Sequence, residues 1–137
     1  MTDKTSSLKE FREFREKMNE KIHASGNLGI RRFFTLDTRA YDEGALSSKV
    51  KELLGLIASM VLRCDDCISY HIIQSVIQEV TDDEFWETFN IALVVSGSIL
   101  IPHLRRAVVT LEECRELEIN NPEELRMQGG DEGTHSH

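Results

Sequence analysis

Between residues 48 and 117 the apolar side chains return every three or four positions, and that period constrains the fold more than any other property of the chain. Val50, Leu53, Leu54, Ile57 and Val61 make one stripe, widened by Leu56 and Met60. Ile68, Ile72, Val76 and Val80 make a second, with Ile73 and Ile77 beside it, and Leu104, Ala107, Val108, Leu111 and Leu117 make a later one. A strand presents alternate residues to one face, so this spacing laid into a sheet would scatter the apolar groups over both. No stretch alternates convincingly. The expected fold is therefore all-α, a bundle of about five to seven helices with no sheet.

Capping residues place the boundaries. Ser7 with Glu10 reads as a capping box opening a helix over residues 7–24, through Leu8, Phe11, Phe14, Met18 and Ile22 to a stop at Gly26. The period lapses from Gly26 to Gly44, where Ile30, Phe33, Phe34, Leu36 and Tyr41 suggest a short helical turn and a covering loop. Ser48 is a fitting N-cap for the next helix, and Thr81 with Glu84 forms a second box. Gly97 and Pro102 should break the apolar run, and Asn121, Pro122 and Glu124 open a last short turn. Residues 1–127 then make one helical domain, with the polar, glycine-rich 128–137 as a disordered tail.

A formal net charge of -8 over 137 residues repels phosphate backbones and anionic lipid, so neither nucleic acid nor membrane is an expected partner. The most apolar stretch, Ile91 to Ile101, is about half the 20 residues a spanning helix requires, and reads as core or subunit interface. The charged opening carries no apolar run before a small-residue cleavage site, which points to a cytoplasmic, reducing location. Three cysteines in such a compartment are not a disulfide framework; a close pair among them is more readily catalytic or metal-binding.

That pair lies in "LRCDDCISYH", residues 62–71. On a helix Cys64, Cys67 and His71 fall at i, i+3 and i+7, along one stripe. Cysteines three apart are within reach of a disulfide, and a helix start favours thiolate. His71 stands one turn beyond Cys67, positioned to take its proton. Glu52, a carboxylate in an otherwise apolar helix, needs water or a partner, and holding the imidazole would supply one.

The stretch "KELLGLIASMVLRCDDCISYH", with "SGSILIPHLRRAV" further on, resembles the AhpD-like / carboxymuconolactone decarboxylase family over roughly residues 40–115. The resemblance implies an AhpD-like helical bundle assembling into trimers or hexamers, with alkylhydroperoxidase (peroxiredoxin-type) or thiol-disulfide reductase activity. By that resemblance Cys67 is the attacking thiol, Cys64 the resolving thiol, and Glu52 and His71 the proton relay. A small hydroperoxide or a disulfide would be the substrate, an external dithiol the reductant, and no cofactor or metal would be required. The resemblance departs at Asp65 and Asp66, where the best-studied members carry a histidine; two carboxylates beside the dithiol raise thiol pKa values and oppose peroxidase activity.

Other readings stand beside this one. Cys64, Cys67 and His71, with Glu52 or His103 as fourth ligand, would make a zinc-stapled, non-catalytic module. The decarboxylase activity in the family's name has no need of a dithiol. Cys114 falls on an apolar stripe and reads as core, Phe85, Trp86 and Phe89 as packing or interface, and His103 as a structural histidine or part of the pocket wall. His135 and His137 read as solvated.

Overall fold

The computed structural model of the protein describes residues 4–129, and every regular element among them is helical. The order is α1 (Lys4–Ala24), α2 (Leu28–Ala40), α3 (Ser48–Leu62), α4 (Asp65–Ile77), α5 (Asp82–Ser96), α6 (Ile101–Asn120) and α7 (Pro122–Gly129), with one 3-10 turn at Ser98–Leu100 between α5 and α6. The all-α expectation holds, at the top of the expected helix number. His135, His137 and the rest of the tail from residue 130 lie outside the described residues.

Helix α4 is the axis of the packing, in contact with α3, α6 and α7, while α5 lies on α3 and α1 on α6. The stripes read from the sequence meet here. Leu56 and Met60 of α3, Ile68, Ile72, Ile73 and Val76 of α4, Phe85, Phe89 and Ala92 of α5, and Ala107, Leu111 and Cys114 of α6 are all buried in one cluster. Phe85 and Phe89 touch at 5.9 Å between ring centroids, and Trp86 stands half exposed at the edge of Phe89. Burying side chains of this size contributes about 1.5–3 kcal/mol each against leaving them in water.

The capping chemistry is partly as expected. Thr81 and Glu84 close a reciprocal box: the Glu84 N–H donates to Thr81 Oγ1 at 3.2 Å and the Thr81 N–H to Glu84 Oε1 at 2.9 Å. That backbone donor, with Lys49 beside it, holds the Glu84 carboxyl below its ordinary pKa. Gly97 ends α5 with φ +81°, a conformation that favours glycine, and Pro102 sits in the first turn of α6 where its missing N–H costs nothing. Asn121 caps α7 by accepting from the Glu124 N–H at 3.3 Å.

Three sequence expectations need correction. Ser7 does not cap: α1 begins at Lys4, and the nearby Leu8 N–H is satisfied from across the molecule, by the buried Glu113 carboxylate of α6 at 3.0 Å. The cap of α3 is Ser47, whose Oγ accepts from the Val50 N–H at 3.1 Å; Ser48 is the first helical residue, one position past the reach of a cap to that amide. Residues 28–40 are a full helix capped by Asn27, which accepts from the Ile30 N–H at 3.0 Å. None of its residues is buried, and Leu28, Ile30, Phe33 and Leu36 face outward, so its apolar spacing answers to no core in this subunit.

No described helix is long and apolar enough to cross a membrane. Gly97 divides the apolar run from Ile91 to Ile101 between two helices.

Candidate active site

The connection from α3 to α4 is two residues long. Arg63 takes the left-handed conformation (φ 58°), its N–H returning to Met60, and the Cys64 N–H returns to Ser59 at 3.1 Å. This paired closure of the last carbonyls turns the chain sharply, so the residue after it serves at once as the N-cap of α4. That residue is Cys64. It lies just outside the helix, with extended dihedrals, and is not the first member of a strictly helical stripe as the spacing alone suggests.

Cys64 and Cys67 form a disulfide, with Cα atoms 5.3 Å apart. The Cys67 N–H donates to the Cys64 sulfur at 3.3 Å, as a capping serine oxygen would accept in that place. Both sulfurs therefore stand in the field of a helix N-terminus, and the amide aims at Cys64. Cys67 is exposed and Cys64 half-buried. A reactant from solvent meets Cys67 first.

One turn further along α4, His71 is buried against α3. Its Nδ1 is 2.9 Å from Oε1 of Glu52, which is also buried. The partner that a carboxylate in an apolar helix requires is thus this imidazole. A proton on Nδ1 donates to the carboxylate and leaves Nε2 as the basic nitrogen. Nε2 faces the hydroxyl of Tyr41 at 3.5 Å, and neither nitrogen hydrogen-bonds a sulfur in this disulfide form.

Two residues of this arrangement were not singled out in the sequence for the site. A Cβ on Gly55 would lie 2.8 Å from His71 Cε1 and 2.8 Å from the Tyr41 hydroxyl, so the ring and the phenol meet over a position that only glycine leaves open. Tyr41, from the loop after α2, keeps its proton to unusually high pH, chiefly because it is partly buried and further because the charges of Glu52 and Asp37 disfavour a phenolate. No sequence pattern marks either residue, since their roles depend on a contact between α4, α3 and a loop.

Asp65, the first residue of α4, is held from α6. His103 Nδ1 lies 2.7 Å from its Oδ1 and Arg106 Nη1 3.3 Å from its Oδ2. His103 is accordingly a partner of the dithiol segment, not of Glu52 and His71. Asp66 is exposed. Beside these carboxylates a cleft of about 260 Å³ runs between α1, α4 and α6, lined by Phe11, Ser69, Arg106 and Thr110 among others.

Cys64, Cys67, His71, Glu52 and His103 are not arranged as a zinc site. Among the described residues no group of three or more His, Cys, Asp and Glu side chains is arranged to hold a metal ion. Cys114 is sealed in the core, where burial pushes its thiol up to about 12.

Residues 30–110 match the model of the carboxymuconolactone decarboxylase family. The chain is 55% identical to a protein of that family from Thermotoga maritima whose crystal structure is presented with a suggested part in an antioxidative response; the match covers 81% of this chain and 94% of that one, with a TM-score of 0.77. A second crystal structure of the same Thermotoga maritima protein gives a TM-score of 0.79 over 82% and 99% of the two chains. A carboxymuconolactone decarboxylase family protein from Legionella pneumophila, in its apo form, is 25% identical over 80% and 96%, with a TM-score of 0.69. No curated protein gives a significant match.

Proposed function

The chain belongs to the carboxymuconolactone decarboxylase family, and from that premise we propose that it is a thiol-dependent oxidoreductase, reducing a small hydroperoxide or a partner's disulfide through Cys64 and Cys67. The observation that carries this reading is the disulfide itself: two sulfurs joined at a helix N-terminus, the outer one open to solvent, one turn from a buried His71–Glu52 pair. The suggested antioxidative role of the Thermotoga maritima relative points the same way.

In the reduced protein, Nε2 of His71 takes the Cys67 proton and Glu52 stabilises the imidazolium that results. The Cys67 thiolate attacks the outer oxygen of the hydroperoxide; an S–O bond forms, the O–O bond breaks, and the departing alkoxide takes a proton to leave as the alcohol. Cys64 then displaces hydroxide from the Cys67 sulfenic acid, giving the disulfide and water. An external dithiol supplies two electrons and two protons to restore the pair. With a disulfide substrate the same sulfurs exchange directly and no sulfenic acid forms. The cycle draws on the chain's own two sulfurs and the external dithiol, and a reducing compartment such as the cytoplasm would supply that donor.

We assign the outward apolar residues of α2 and α5, among them Phe33, Leu36, Val94 and Val95, to contacts between subunits of a trimer or hexamer. Sedimentation tests this: a monomer at micromolar concentration contradicts it.

The activity is tested by counting free thiols before and after a substoichiometric addition of hydroperoxide to the reduced protein. Two thiols should disappear together per peroxide consumed, Cys67→Ser should abolish the loss, and Cys114→Ser should leave it unchanged. Thiols that persist in the wild type, with either a hydroperoxide or a low-molecular-weight disulfide as oxidant, would refute the reading.

A further inference from the structure

Asp65 follows Cys64 directly, so a full negative charge stands next to the sulfur that the helix N-terminus favours as thiolate. Uncompensated, that charge opposes the thiolate. The structure partners that carboxylate from α6: His103 Nδ1 lies 2.7 Å from Oδ1 and Arg106 Nη1 3.3 Å from Oδ2, and an N–H directed at each oxygen weakens the field that the carboxylate exerts on the sulfur. The two partners are unequal: the His103 side chain is 21% exposed and that of Arg106 61%, so water and salt screen the guanidinium far more than the imidazole.

Resting on the redox reading of the cysteine pair, we propose that His103 is a positioning residue for the reductive half of the cycle: it binds the Asp65 carboxylate and so keeps Cys64 a good leaving group. The external dithiol reaches the exposed Cys67 first. Its thiolate bonds to the Cys67 sulfur, the Cys64–Cys67 bond breaks, and the electron pair stays on Cys64. The Cys67 N–H already directed at that sulfur stabilises the new thiolate, which later takes a proton. The second thiol of the donor then displaces Cys67, leaving the donor oxidised and the protein reduced by two electrons. A leaving thiol of lower pKa leaves faster, and a stabilised thiolate favours the reduced state.

The test is the redox equilibrium of the full-length protein in glutathione buffers at pH 7, with the rate of disulfide reduction by dithiothreitol as second readout. His103→Ala should shift the equilibrium about tenfold toward the disulfide, which is about 30 mV for a two-electron couple, and slow reduction several-fold. Asp65→Asn should shift it the opposite way, and Asp65→Asn with His103→Ala should return to the wild-type value or beyond. Asp65→Asn keeps the side-chain shape and decides the matter if His103→Ala does not fold. An unchanged equilibrium in His103→Ala, a shift toward the disulfide in Asp65→Asn, or a double variant as impaired as His103→Ala would overturn the proposal. A wild-type pair that oxidant and dithiothreitol leave unchanged would instead refute the redox reading itself, and the proposal with it.

Discussion

His71 and His103 each hold a carboxylate, Glu52 at 2.9 Å and Asp65 at 2.7 Å, yet the two pairs occupy opposite environments. Glu52 and His71 are buried between α3 and α4, whereas Asp65 is 42% exposed at the start of α4 and its partners come from α6. Charges out of water interact strongly and are costly to separate; charges in water interact weakly and are screened. In the proposed cycle the inner pair is the one that moves a proton, through His71 held at Nδ1. The outer pair is suited to adjust a field. On the proposed reading, chemically similar groups differ in use because burial differs.

Substitutions in the inner pair should break function most. His71→Ala should slow the oxidation of the reduced pair by about a hundredfold or more, the scale of a lost general base, and Glu52→Gln by a smaller factor, with slow disulfide formation persisting in both. Thiol loss followed by stopped flow reads this out. Equal damage from Arg106→Ala would erase the distinction between the pairs.

The glycine under the inner pair should come next. A methyl group at residue 55 meets His71 and Tyr41 at 2.8 Å, so Gly55→Ala must displace one of them. Overpacking of this kind costs about 1–3 kcal/mol, and urea denaturation should show it together with slower oxidation. Normal stability would mean that the ring and phenol are not held as described.

Cys114 extends the contrast to the sulfurs. Its thiol, pushed up to about 12 by burial, binds its proton more tightly folded than unfolded. This contribution to stability is whole below the ordinary thiol pKa near 9 and is lost as pH rises toward 12. Cys114→Ala should flatten that alkaline decline in urea midpoints, while alkylation at pH 8 should label reduced Cys67 and spare Cys114. The smallest effect belongs to the outer rim: Arg106→Ala should change stability by less than about 1 kcal/mol, with no difference left at high salt.

Much of this was legible in the sequence, for reasons that residues make plain. Ile68, Ile72 and Val76 are spaced as they are because α4 is buried along that line, and Glu52 stood out because a carboxylate there has to be partnered. Ser7 misled because the tertiary acceptor Glu113 replaces a local cap at Leu8. Helix α2 was hidden because none of its residues is buried in the subunit, so no stripe ties it to its neighbours. Tyr41, Gly55 and the pairing of His103 with Asp65 depend on contacts between distant segments, which no local period encodes.

The most direct test of the central claim is mass spectrometry of Cys64→Ser after one equivalent of hydroperoxide. With the resolving sulfur gone, the account predicts a single added oxygen on Cys67, trapped as sulfenic acid, and none on Cys114. Oxygen absent from Cys67 in that variant, while wild-type protein still consumes peroxide, would contradict it.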